Sequence, residues 1–163
     1  MVNWCIFTVA APEGMKQYVS CLPHEYVFEN GLVSEAIIGV LIRSLEQGEK
    51  ITPEVFARNR TFVNFMHEVI AHHAPNSPDI IAEARHQQDG WVYLIDQRTK
   101  TPHDTVPSED IVGGFKVEGG LCIAASYQPN PQHIILSDTG FFQLGPELEA
   151  CLLDELIKLG KMV

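Results

Sequence analysis

The sequence lacks any excess of positive charge. Its 163 residues carry 11 lysines and arginines against 21 aspartates and glutamates, which gives a formal net charge of −10 at pH 7. Proteins bind nucleic-acid backbones by displacing counterions with lysine and arginine side chains. We therefore do not expect a nucleic acid among the partners of this chain.

Long apolar segments and targeting segments are also missing. The longest apolar run, Ala36 to Ile42, is far shorter than the roughly 20 residues that a membrane-spanning helix needs. Residues 1–9 include no basic leader of the kind that begins a signal peptide. No CxxC pair occurs, and cysteines this far apart in such a chain are expected to be reduced thiols. We therefore expect a cytoplasmic location and no membrane partner. The cysteines are Cys5, Cys21, Cys122 and Cys151.

The common catalytic motifs are absent as well, including GxSxG, the Walker loop and GxGxxG. The segment that begins at His67 comes close to the zinc-protease motif HExxH, but its second histidine, His72, falls one position late. On a regular helix the two rings point in different directions and cannot share one ion. Asp79, Glu83 and His86 share a predicted helix face, which is typical of a solvated polar surface. We predict neither a metal site nor a cofactor.

What the chain does have is the composition of a folded domain, with 45% hydrophobic residues. A chain of this length can bury a substantial core without disulfides or metals. We predict one α+β domain over residues 1–163, built mainly from an antiparallel sheet of hairpins and packed with helices. The predicted hairpins cover about residues 24–42, 112–127 and 133–144, and the predicted helices about 53–73, 78–88 and 146–159.

Local signals locate these elements. The pair Asn30-Gly31 is typical of a hairpin turn, because both central positions require positive φ. Thr52 followed by Pro53 is typical of a helix N-terminus. β-Branched residues favour a strand within residues 33–42, with a buried helix as the alternative. Alternating patterns predict two further strands, at residues 2–9 and 91–96.

The negative charge is concentrated late in the chain. Residues 101–157 contain nine acidic residues and only one basic residue, Lys116. This distribution, together with the lack of a catalytic motif, favours a non-enzymatic acidic module that binds a basic protein. An immunity protein or another inhibitor of a basic partner fits this size and charge. We expect Glu147, Glu149 and Asp154 on the last helix to form the interaction surface.

The alternative is a small-molecule-binding protein or enzyme with a polar and aromatic pocket around residues 91–133. Aromatic side chains beside amides and a lone histidine are the usual composition of a ligand site. The same residues also suit a core or turns, so both interpretations stay open. The sequence does not determine the oligomeric state, and a homo-oligomer is compatible with it. The candidate pocket residues are Trp91, Asp110, Tyr127, Asn130 and His133.

Overall fold

The N-terminal half of the chain builds a four-stranded antiparallel sheet. The computed structural model describes residues 4–99 and 105–161. Of the strand predicted at residues 2–9, residues 2 and 3 lie outside this description, Trp4 precedes the first strand, and residues 5–9 fall in it. The second strand, Gly14–Ser20, has few β-branched residues, so the sequence pattern does not predict it. The strands are β1 (Cys5–Ala11), β2 (Gly14–Ser20), β3 (Ile37–Leu41) and β4 (Phe56–Arg58), and they lie in that order.

The hairpin predicted over residues 24–42 is wrong in its first half. His24–Asn30 forms a helix, α1, which ends at Gly31 with a φ of 85°. A glycine with positive φ terminates a helix as readily as it turns a hairpin, so the same pair of residues has the other role here. The second half is a strand as predicted, but β3 pairs with β2 and β4.

The helix predicted from residue 53 begins later. Pro53–Val55 forms a single 3₁₀ turn, and β4 follows it as an edge strand. Phe56 holds this strand in place because its ring is buried against Gly39, where any side chain would clash with it. The second helix, α2, spans Arg60–His73, and the Asn59 side chain accepts a hydrogen bond from its first turn. Asn59 is thus the residue that caps the helix.

A second antiparallel sheet follows the third helix, α3 (Pro78–Gln87), which is confirmed close to its predicted bounds. One strand of this sheet, β6 (Ile111–Glu118), pairs with all three of its neighbours. The hairpin predicted over residues 112–127 therefore extends only to Cys122, and the predicted strand at 91–96 is confirmed. The strands are β5 (Gly90–Ile95), β6 (Ile111–Glu118), β7 (Leu121–Cys122) and β8 (Gln128–Pro129).

The hairpin of β6 and β7 ends early because a serine side chain, in place of a backbone carbonyl of β7, accepts the next hydrogen bond from β6. Ser126 Oγ accepts a hydrogen bond from the Lys116 amide at 2.7 Å and donates one to the Ile123 carbonyl at 2.6 Å. The chain makes a 3₁₀ turn at Ala124–Ser126 before β8 begins. A serine within an apolar run carries no signal for this turn, so the sequence pattern does not reveal it.

The chain ends with a short hairpin and a long helix. β9 (Leu136–Ser137) pairs with β10 (Gly140–Phe141) inside the predicted 133–144 segment, and α4 spans Pro146–Lys161. Both sheets and the longer helices contribute to one hydrophobic core. The chain is a single compact α+β domain, which confirms the predicted fold class. Within residues 4–99 and 105–161, no helix combines the length and apolar character needed to cross a membrane.

Candidate functional site

A cleft of about 940 Å³ opens between one face of α2 and the chain that follows β7. We call it the α2 cleft. The end of β4, the outer face of α2 and residues 124–133 form its walls. Its floor is partly apolar, and its charged and titratable lining residues are Arg58, Arg60, His67, Glu68, Tyr127 and His133.

α2 presents one face to the core and another to the cleft. Phe62 and Met66 are fully buried among the core residues. Arg60, Asn64 and His67 line the cleft, and they follow one another at spacings of four and three residues. Residues at these spacings lie above one another on a helix surface, so three polar side chains reach the same cavity.

His67 and Tyr127 join the two walls of the cleft. His67 Nδ1 lies 2.7 Å from the Tyr127 hydroxyl, within hydrogen-bond distance. Burial, with a smaller contribution in the same direction from His133, lowers the pKa of His67 to about 4. Burial also raises the pKa of Tyr127. Near neutral pH, the imidazole of His67 is therefore uncharged and the phenol of Tyr127 keeps its proton.

Gly113 makes room for the ring of Tyr127. A Cβ at Gly113 would lie 2.5 Å from the Tyr127 hydroxyl oxygen, closer than such atoms approach one another. The tyrosine ring also packs against Phe115, two residues further along β6, with ring centroids 4.9 Å apart. The small residue in β6 thus lets the tyrosine approach the sheet closely, while its hydroxyl reaches His67 on α2.

A buried arginine stabilises the wall behind the cleft. The Arg98 side chain is 1% exposed, and its Nε donates to Asp110 Oδ1 at 2.7 Å. Thr99 donates to the other oxygen of Asp110 at 2.6 Å. The remaining guanidinium nitrogens donate to four backbone carbonyls, which satisfies all the donors of a buried cation. These carbonyls belong to Glu109, Ile134, Ile135 and Gly140.

His133 is held between this network and the cleft. Its Nε2 lies 2.9 Å from Asp96 Oδ2, and Asp96 also accepts hydrogen bonds from the backbone amides of Arg98 and Gln143. A carboxylate only accepts hydrogen bonds, so His133 Nε2 carries the proton. His133 Nδ1 has no partner among the described residues and is not enclosed. His133 is also one of the residues that line the cleft, so Asp96 fixes this ring at the cleft wall.

The structure brings together three of the five predicted pocket residues. Tyr127, Asn130 and His133 line the α2 cleft. Asp110 lies behind it, paired with Arg98, and Asn130 also bonds two backbone carbonyls of neighbouring loops. Trp91 lies on β5, is 38% exposed and does not line the cleft.

The α2 side of the cleft was not predicted from the sequence. His67 was considered only as a zinc ligand, and neither Arg58 nor Arg60 was among the predicted site residues. The available signal was the helical spacing of Arg60, Asn64 and His67, a polar stripe that lies opposite the apolar one. Nothing in the sequence indicates that this stripe faces residues 124–133.

The other candidate residues are exposed or scattered. Asp79, Glu83 and His86 are exposed on α3, and no group of three potential ligands occurs in the described part of the chain. On α4, Glu147 and Asp154 are exposed, whereas Glu149 is half-buried. Burial raises the pKa of Glu149. Glu147 and Asp154 are two helical turns apart and share a face, but Glu149 lies on the opposite side.

Comparison of the chain with protein-family models, with curated proteins and with solved structures found no match. Function is therefore inferred from the geometry of the α2 cleft and from the surface charge.

Proposed function

We propose that the chain is a ligand-binding protein whose α2 cleft holds a small molecule. The observation that carries this proposal is the convergence of polar side chains from two segments distant in sequence, residues 58–71 and 124–133, on one cavity of about 940 Å³. Clefts of roughly 300–1,000 Å³ with a few convergent polar groups are typical of small-molecule sites. Val63 and Ala71 supply apolar surface between the polar groups.

The rigid wall behind the cleft supports the same proposal. Asp96 and Arg98 fix the position of His133, and Asn130 ties the preceding turn to two backbone carbonyls. A side chain that is already held in place loses little conformational entropy when a ligand binds. His133 can therefore contribute a hydrogen bond to a ligand at low entropic cost.

A thermal-shift screen with a cleft-blocking variant tests the proposal. A metabolite at about ten times its Kd should raise the Tm by roughly 3–6 °C, because it binds only the folded state. Ala124→Trp fills the cleft entrance and should abolish the shift. Ala82→Trp, on the exposed face of α3, is the matched control and should retain it. A shift that survives in Ala124→Trp would show that the ligand binds elsewhere.

The acidic surface supports a second candidate function, the binding of a basic protein through α4. Glu147 and Asp154 are exposed on one helix face and form no ion pair with any residue that the structure describes. Such a face would accelerate encounter with a positively charged partner. The unpaired state of all four cysteines supports a cytoplasmic setting for either function.

Charge reversal tests this second candidate. Proteins captured from the native host at low salt should be lost with Glu147→Lys/Asp154→Lys. They should be retained with the control Asp79→Lys/Glu83→Lys, which reverses an equal number of exposed acids on α3. If both variants lose the same proteins, overall charge rather than α4 accounts for the binding.

A further inference from the structure

The α2 cleft has the opposite charge to the molecule that contains it. Arg58 and Arg60 are exposed at the cleft and form no hydrogen bond or ion pair with any described residue. Glu68 is the one acidic side chain in the lining. With neutral histidines the lining carries a net charge of +1, whereas the whole chain carries −10. An anion would therefore meet a favourable local potential at this cleft.

The two arginines suit an oxyanion in particular. A guanidinium group presents several N–H donors in a fixed plane, which match the oxygens of a phosphate or sulfate group. Arg58 lies at the end of β4 and Arg60 at the start of α2, so only the cap residue Asn59 separates them. They can approach one group from adjacent positions.

His67 is the titratable group on which such an anion would act most strongly. From α2 itself, Arg60 and Glu68 accompany it at the cleft, and Arg58 reaches the cleft from β4. From the opposite wall, Tyr127 contacts its Nδ1, and His133 lies among the lining residues. Burial, with a smaller contribution from His133 in the same direction, keeps His67 neutral in the free protein near neutral pH.

We propose that the ligand of the α2 cleft carries a dianionic phosphate-type group, and that the group binds together with one proton that His67 takes up. This inference rests on the proposed small-molecule function. A dianion changes the net charge of the cleft from +1 to −1, and a charged His67 then restores neutrality. A monoanion would already neutralise the cleft and would draw no proton.

Isothermal titration calorimetry with inorganic sulfate tests the inference, because sulfate is a dianion throughout the useful pH range. Any proton exchanged on binding then belongs to the protein. Titrations at pH 6 in two buffers of different ionisation enthalpy should show uptake of close to one proton per sulfate. Affinity should rise about tenfold for each pH unit lowered, as linkage to one proton requires. Phosphate and a phosphate monoester as further titrants distinguish a free anion from a group carried on a larger molecule.

Two variants assign the proton. His67→Gln retains an amide that can bond Tyr127, so it should bind sulfate at pH 8 like the native chain but lose the rise in affinity at lower pH. His86→Gln replaces an exposed histidine on α3 and should leave the pH dependence unchanged. A pH dependence that persists in His67→Gln would overturn the assignment to His67.

The remaining outcomes separate this inference from the proposed function. Sulfate binding without proton uptake overturns the inference, and the small-molecule function stands if Ala124→Trp abolishes that binding. Failure of sulfate, phosphate and the monoester to bind also overturns it. In that case a neutral metabolite that raises the Tm of the native chain but not of Ala124→Trp would still support the proposed function. If no metabolite raises the Tm, both the proposed function and this inference are wrong.

Discussion

The arginines on the two sides of the α2 cleft differ in nearly every physical respect. Arg98, behind the wall, is almost fully buried and has a partner for every guanidinium nitrogen. Arg58 and Arg60, at the opening, are exposed and have no partner among the described residues. The same side chain thus stabilises the fold in one place and remains free to bind a ligand in the other.

This difference indicates which charges the fold requires. A buried cation is tolerable only when carboxylates and carbonyls replace its water, so Arg98 depends on Asp110 and on four backbone oxygens. The carbonyls it binds belong to the segments around residues 109, 134–135 and 140, which it thereby holds together. Exposed cations have no such requirement, and their positions are available for function.

The largest expected effect is the loss of stability on removing the buried arginine. Arg98→Met leaves Asp110 without its charge partner and removes a donor from four carbonyls, of which those of Glu109 and Ile135 keep a backbone N–H donor. We expect the free energy of unfolding to fall by about 3–5 kcal/mol, measured by urea denaturation. Arg85→Met, at an exposed position on α3, is the control and should change it by less than about 0.5 kcal/mol. A loss below about 1 kcal/mol in Arg98→Met would contradict a structural role.

A smaller effect should appear in acid. Burial opposes the ionisation of Asp110, but the hydrogen bonds from Thr99 and Arg98 and the positive charge of Arg98 together outweigh it, so the pKa of this carboxyl lies below its ordinary value of 3.8. A carboxyl with a lowered folded-state pKa stabilises the protein above its unfolded-state pKa. This contribution is lost as the pH falls through the folded-state value. Between pH 5 and pH 2, the urea midpoint of the native chain should therefore fall more than that of Asp110→Asn.

An exposed pair provides the comparison for this acid effect. Two hydrogen bonds from Arg43 lower the pKa of Glu49 to about 2, yet the pair lies at the surface. Solvent screens such a pair, so Glu49→Gln should change the acid dependence less than Asp110→Asn does. Equal effects of the two variants would show that burial does not distinguish the pairs.

The smallest expected effect on stability is at the cleft opening. Arg58→Ala/Arg60→Ala should change the free energy of unfolding by less than about 0.5 kcal/mol per site, because no described partner is lost. The same variant should weaken sulfate binding by at least about tenfold, since two charge-assisted contacts disappear. Lys50→Ala/Arg85→Ala removes two exposed cations outside the cleft and should leave binding intact. If both variants weaken binding equally, the arginines act only through overall charge.

The sequence was sufficient for the fold class and for most of the regular elements. Periodic apolar positions and start signals predicted α3, α4 and the strand β5 close to their observed bounds. The Asn30-Gly31 pair misled because positive φ serves a helix end and a hairpin turn equally well. Thr52-Pro53 wrongly predicted the start of an α-helix, because a proline also begins a single 3₁₀ turn. The buried packing of Phe56 then favours a strand after that turn.

The site was less predictable because its contacts are distant in sequence. Arg98 binds carbonyls 11 to 42 residues away. Every residue has a backbone carbonyl, so the sequence does not indicate which carbonyls accept these hydrogen bonds. Tyr127, Asn130 and His133 could be selected because polar and aromatic residues cluster there. Their partner His67 lies 60 residues from Tyr127, so only the fold reveals the pairing.

The most direct test of the account is a titration of the nitrogen-15-labelled protein with sulfate, followed by two-dimensional amide NMR. We expect saturable shifts concentrated in residues 58–71 and 124–133, the two walls of the α2 cleft, with little change at α3 or at the exposed end of the β1–β2 hairpin. Shifts that fail to saturate, or that concentrate outside these two segments, would contradict the α2 cleft as an anion-binding site.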